Sequence, residues 1–226
     1  MKYQASLKTQ QRILALFAEN KEYAQYDMNK AVNKDYHTVL RHLRRMEKAA
    51  LIKLSRTEAS TKGGKEKNIW KLTTKGLQAL LFRNRDNSDA LEKLIQLYPD
   101  MLLAFKKWPL FVEAGLKEKM LVVLREALYA TYLFAVQAVS IGLQVKFAGD
   151  ETIRQTLNSS ILYTPLFGVD SPFHEQATIE KLITTYKKDE ELRRFINDCF
   201  KRDLEQHQRT LEVKKLWDTF RSTDNL

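Results

Sequence analysis

The residues in this chain best suited to chemistry are cations set at helical spacing. His37, Arg41, Arg44 and Lys48 stand at i, i+4, i+7 and i+11, with Lys34, Thr38 and Arg45 beside them. At 3.6 residues per turn these positions form one stripe. Val39, Leu43 and Met46, at i, i+4 and i+7, form an apolar stripe nearly opposite. A row of guanidinium, ammonium and imidazole groups can bond anions and the hydrogen-bonding edges of bases. A second set of cations, Arg56, Lys62, Lys65 and Lys67, follows in RTEASTKGGKEKN, tempered by Glu58 and Glu66. This segment is too long for a tight turn, and Gly63-Gly64 gives its tip conformational freedom.

The two groups need elements to position them. The helix carrying the stripes is expected to run to about Lys48, with Asn33 or Asp35 as its N-cap. Before it, Leu7, Ile13, Leu14, Leu16 and Phe17 mark a first helix over residues 6–18. A short second helix is expected from Asp27 to Val32, with Met28, Ala31 and Val32 inward. After it, LIKLS at 51–55 and NIWKL at 68–72 read as two strands joined by the cationic loop. Trp70 is expected to pack against the first and third helices. Tyr23 and Tyr26 lie near the start of the second helix as core or cap residues. Thr73 or Thr74 opens a fourth helix, and NRDNS at 84–88 is a linker or a sharp turn. Beyond it the pattern is helical: 89–97, 100–107, 109–115, 117–146, 150–160, 174–187 and 189–212, with a last short helix near 214–220. Pro99, Pro109, Pro165 and Pro172 punctuate it, and residues 162–172 read as a loop. The expected fold is therefore mainly α. A helix-turn-helix with a β-hairpin wing occupies 1–83, a linker 84–88, and an all-helical dimerisation or effector domain 89–226.

Charge is distributed unevenly over the 226 residues. Residues 1–87 hold 19 Lys or Arg against 8 Asp or Glu, whereas residues 88–226 hold 19 against 20, so the net +10 belongs to the first part. Such a surface attracts DNA, RNA or anionic lipid alike. Cys199 is the one cysteine, which excludes an intrachain disulfide, fits a reducing interior and is expected to serve packing. The N-terminus shows no signal-peptide core, so a cytoplasmic location is expected. Ala127 to Leu143 is uncharged but falls short of the roughly 20 residues of a membrane span. It is expected to be a central helix, buried or shared by two subunits, with no membrane involved. His37, His42, His174 and His207 lack metal-site spacing with Cys or carboxylates, and KGGKEKN lacks the strand and helix of a phosphate loop. No cofactor and no catalytic constellation are expected; Tyr132, Phe134 and Phe167, the residues around which a pocket would form, stand at spacings usual for core.

The helices over 27–48 have helix-turn-helix spacing, which places the third helix in a DNA major groove. His37, Thr38 and Arg41, in its N-terminal half, are expected to read bases. Lys34, Arg44, Arg45 and Lys48 are expected on the backbone or groove wall, and Arg56, Lys62, Lys65 and Lys67 in the minor groove or on its phosphates. The run TVLRHLRRMEKAALI (38–52), with NIWKLTTKG (68–76), resembles the winged helix-turn-helix regulators of bacteria and archaea, the MarR, ArsR and PadR types. The resemblance covers about residues 5–82. It implies recognition-helix positions for Thr38, Arg41 and Arg44, wing-tip positions for Lys62 and Lys65, and proximity to phosphate for Tyr23 and Tyr26. Two features depart from it. Ala50 stands where the family usually has glycine, so the turn is expected to close without left-handed backbone or to bend differently. About 140 residues also follow the wing. The function expected is a sequence-specific double-stranded DNA-binding transcription regulator. It would be a homodimer through its helical half, reading half-sites about 34 Å apart, and open to an unknown effector or the transcription machinery. The alternatives are a low-specificity structural or replication-associated DNA binder and a protein-interaction adaptor.

Overall fold

The computed structural model describes residues 2–59, 66–140, 149–166, 172–173 and 175–223, with backbone alone at 2–6, 132–140 and 213–223. It is mainly helical, with a small three-stranded sheet near the N-terminus and an all-helical region after it. The order begins α1 (Lys2–Leu16), β1 (Glu22–Ala24), α2 (Gln25–Val32), α3 (Tyr36–Lys48), β2 (Ile52–Glu58), β3 (Lys67–Leu72) and α4 (Thr74–Arg83). A mostly helical fold with an N-terminal antiparallel hairpin is what winged-helix architectures have in general.

Strand β1 was not expected from the sequence. It is three residues long and too short to show a period of two. It forms because β3 offers a free edge, with Glu22, Tyr23 and Ala24 opposite Lys71, Trp70 and Ile69. Tyr23 also meets Phe17 edge to face at 5.5 Å between ring centroids, fixing the strand to the end of α1. The sheet order is β1-β3-β2, all antiparallel, with a bulge at Ser55 between Leu54 and Arg56.

Helix α2 ends where Asn33 takes φ 51°, and Asp35, not Asn33, caps α3. The Asp35 carboxylate accepts the Thr38 N–H at 2.8 Å, satisfying a donor that the first helical turn leaves without a partner. Ala31 is exposed rather than inward, while Met28 and Val32 are buried.

The C-terminal half comprises α5 (Ser88–Leu97), α6 (Leu103–Lys106), α7 (Trp108–Glu113), α8 (Lys117–Ser140), α9 (Asp150–Asn158), α10 (Gln176–Lys188) and α11 (Glu190–Thr223). The helix expected over 100–107 is only the four residues of α6. Residues 162–166, read as loop, are instead the end of a π-helical turn (Ser159–Tyr163) and a 3-10 turn (Thr164–Leu166). Tyr163 holds them against α11, donating to Asp203 at 2.6 Å and meeting the Phe200 ring at 5.3 Å. The separate short helix near 214–220 is part of α11, which contains neither Gly nor Pro to stop it. Ala127 and Leu128 on α8 are buried, yet Tyr129 is 53% exposed, so at that turn the helix is two-faced rather than buried all round. Residues 141–143 of the uncharged segment lie outside the described residues, as do His174 and Phe167. Among the described residues no helix is long and apolar enough to cross a membrane.

Buried side chains form one connected cluster from Ile13 and Phe17 through Val39, Leu43 and Met46 to Leu77, Leu80 and Leu81, and on to Phe105, Phe111, Leu121 and Leu162. Each such residue stabilises the fold by about 1.5–3 kcal/mol relative to exposure. Polar contacts join the same parts. The buried Tyr98 hydroxyl donates to the Phe17 carbonyl at 2.7 Å, the Asp150 carboxylate accepts the Thr74 N–H at 2.6 Å, and Arg125 donates to the Arg85 carbonyl at 3.0 Å.

Candidate nucleic-acid interface

Helix α3 is held on one face and open on the other. Val39 and Leu43 are fully buried and Met46 is 1% exposed, whereas His37, Arg41, Arg44, Arg45 and Lys48 are all exposed. His37, Leu40, Arg41, Arg44, Arg45 and Lys48 line a surface groove of about 470 Å³. The predicted stripe is therefore contiguous in space. Thr38 is half-buried, and its hydroxyl accepts from Arg41 Nη2 at 3.3 Å. The bond steadies the guanidinium and leaves its remaining donors available. Tyr36 and His37 meet edge to face at 5.7 Å, which orients the imidazole at the start of the helix.

The C-terminal end of α3 is fixed by a set of bonds that explains the LTTKG sequence. Ala50 takes φ 55°, so the expectation of a turn without left-handed backbone is corrected. The Leu51 N–H bonds to the Met46 carbonyl at 2.9 Å and the Ala50 N–H to the Glu47 carbonyl at 2.8 Å. Together these are the Schellman pattern, reached here with a Cβ in the left-handed region. Helix α4 then supplies partners for the carbonyls left over. Thr73 Oγ1 donates to the Ala50 carbonyl at 2.6 Å, the Thr73 N–H to the Leu51 carbonyl at 3.2 Å, and Lys75 Nζ to the Ala49 carbonyl at 2.8 Å. Desolvation lowers the pKa of Lys75, the cost of taking its ammonium partly out of water to reach the Ala49 carbonyl. Gly76 permits the approach: a Cβ there would stand 1.9 Å from the Leu51 oxygen.

His42 lies on the inner side of α3, 6% exposed, with no hydrogen-bond partner for its buried Nδ1. Desolvation, with the charges of Arg45 and Arg41 behind it, lowers its pKa from 6.5 and favours the neutral ring. The pKa of Asp35 is lowered as well, but for a carboxyl this favours the charged form. Its bonds to Thr38 hold it below the usual carboxylate range, which keeps the cap charged.

The hairpin places its cations differently from one another. Lys67 is exposed at the start of β3, and Lys34 is exposed between α2 and α3. Arg56 is engaged within the sheet, bonding Glu22 and, at 2.8 Å, Glu58. Lys62 and Lys65, with Gly63 and Gly64, lie outside the described residues. Trp70 is 4% exposed and belongs to the core cluster. Tyr26 is 60% exposed, with Lys30 Nζ 4.6 Å from its ring centre. Leu40 was not singled out in the sequence as part of this face. Its signal is positional, since it falls beside the cationic stripe on the helical wheel.

Among the described residues no three His, Cys, Asp or Glu side chains are grouped to hold a metal ion. Cys199 is buried, with Arg202 Nη2 at 3.1 Å from its sulfur. Comparison with models of known protein families and with curated protein sequences gives no match, so the functional reading stands on the residues and their arrangement.

Proposed function

We propose that the chain is a sequence-specific double-stranded DNA-binding transcription regulator. The observation that carries the reading is the open cationic face of α3, exposed from His37 to Lys48 while its opposite face is locked into the core. Laid in a major groove, the N-terminal half would present His37, Thr38 and Arg41 to base edges, with Arg41 suited to guanine. Arg44, Arg45, Lys48 and Lys34 would bond phosphates on either side. The hairpin would lie along the adjacent backbone, with Lys67 at its base, Lys62 and Lys65 at its tip, and Arg56 contributing less because two carboxylates already hold it. Residues 1–83 would then be the DNA-binding unit and 89–226 the part that dimerises, responds to an effector or meets the transcription machinery. The exposed Leu204 and Leu211 of α11, one heptad apart, are available to a second copy.

The test is fluorescence anisotropy on a selected duplex and on random duplex over a salt series. Arg41→Ala should weaken the selected site by about 1–3 kcal/mol and relax preference at one base pair. Lys48→Ala should weaken both duplexes alike and reduce the salt slope by about 0.9. Equal losses on both duplexes for both variants would favour a low-specificity binder. Indifference to duplex DNA at low salt would leave the adaptor reading.

A further inference from the structure

A cleft of about 600 Å³ shares no lining residue with the groove of α3. One wall is the sheet, with Lys53 and Lys71; another is α9, with Asp150 and Arg154; Lys21 and Tyr98 complete the rim. Lys53 and Lys71 are direct cross-strand partners. Their Cβ atoms therefore stand about 4.5–5.5 Å apart on one face, an arrangement in which like charges destabilise a sheet. No ion pair among the described residues includes Lys21, Lys53 or Lys71.

The carboxylates nearby relieve them only in part, the charge of Lys71 being one of those that favour ionised Glu22. Glu22 is the other partner of Lys71 across the sheet, but its oxygens are held by Ser55 at 2.5 Å and by Arg56. Asp150 accepts the Thr74 N–H. Asp100 remains, exposed at the rim. On the opposite wall Arg154 has a buried Nε with no partner, although its Nη1 reaches Glu151 at 3.1 Å. Lys21, Lys53, Lys71 and Arg154 thus converge on a space that Glu22, Asp100 and Asp150 also line, four cations against three carboxylates. Leu72, Tyr98 and Met101 add apolar surface between them.

We propose that this cleft binds a phosphorylated small metabolite carrying two or more negative charges, of nucleotide size. Lysines are effective point-charge partners of phosphate, and an arginine fork opposite them completes an anion clamp. The volume lies within the usual range for small-ligand sites, roughly 300–1,000 Å³, and far exceeds what inorganic phosphate fills. A ligand there would bridge the sheet that carries the wing to α9. Any effect on DNA rests on the function proposed above, whereas the binding itself does not.

The experiment is isothermal titration of the full chain, without DNA, with ATP, ADP, AMP, pyrophosphate and inorganic phosphate. Saturable binding of at least one organic phosphate is expected, with inorganic phosphate weaker. Lys71→Gln and Arg154→Gln should each weaken it by roughly tenfold or more, the value of one charge-assisted bond. Arg44→Ala, on the face of α3, should leave it unchanged. Lys53→Gln serves as a second reading if Lys71→Gln folds poorly, because Lys53 is exposed on β2. In the unliganded protein Lys53→Gln should also raise Tm by about 1–3 °C through relief of the repulsion. The proposal is overturned if none of the probes binds at millimolar concentration. It is equally overturned if Lys53→Gln, Lys71→Gln and Arg154→Gln all bind like the parent, or if Arg44→Ala loses binding as they do. Failure of DNA binding would not touch any of these outcomes.

Discussion

Replacing Gly76 with alanine sets two physical effects against each other. On helix propensity alone, alanine within α4 should stabilise by about 1 kcal/mol. The structure requires the opposite sign. The new Cβ would lie 1.9 Å from the Leu51 oxygen, 2.9 Å from its carbonyl carbon and 3.0 Å from Leu72 Cδ2. Ordinary contact needs a retreat of roughly 1.5 Å, and the main obstacle is backbone, which cannot rotate away. Moving α4 from the end of α3 stretches the two Thr73 bonds to Leu51 and Ala50, at 3.2 and 2.6 Å. Their loss, with strain in a packed core, costs about 3–4 kcal/mol. The Lys75 bond to Ala49 is more exposed and adds less. Net destabilisation of about 2–3 kcal/mol is expected after the propensity gain. Urea unfolding followed by tryptophan fluorescence reads it directly, since Trp70 is buried in the adjoining core. A Gly76→Ala midpoint equal to or above that of the parent would refute the account of how α3 is clamped.

Ala50→Gly should move stability the other way, by about 0.5–1 kcal/mol, because glycine relieves the left-handed strain but loses more chain entropy on folding; an unfolding midpoint below the parent's would contradict it. Tyr98→Phe should cost about 1–2 kcal/mol, since its buried hydroxyl bonds the Phe17 carbonyl, and a neutral result in the same assay would count against that bond. The folded pKa of His42 lies below 6.5, so the unfolded chain binds its proton first. Stability should be full above about pH 6.5 and fall as the pH drops towards the folded pKa; His42→Leu should flatten that window, and an unchanged slope would assign it to other groups. Below about pH 4, Asp35 and Glu22, both held under their usual pKa, should add a further loss as they protonate; Asp35→Asn should diminish it in an acid titration followed by circular dichroism.

What could be read without coordinates was whatever the chain settles within a few residues of itself. The two stripes of α3 follow from 3.6-residue spacing, and a side-chain cap three residues away, as at Asp35 and at Thr73, needs no distant partner. Charge asymmetry and the absence of Gly or Pro across α11 are likewise plain in the letters. The remainder depended on segments that meet only after folding. Strand β1 exists because β3 lends it an edge, and Arg56 is bound because Glu22, 34 residues earlier, arrives beside it. Ala50 accepts an unfavourable backbone because α4 clamps the turn behind it, a cost that local propensity argues against and tertiary bonds override. Lys53 and Lys71 look like two ordinary exposed lysines until the hairpin register sets them opposite each other and α9 brings Arg154 to face them. Local periodicity decided which face of the third helix could meet a ligand. Long-range pairing decided how firmly that face is held, that Arg56 is engaged by two carboxylates, and which cations line the second cleft, because register and distance between remote segments are properties of the packed chain alone.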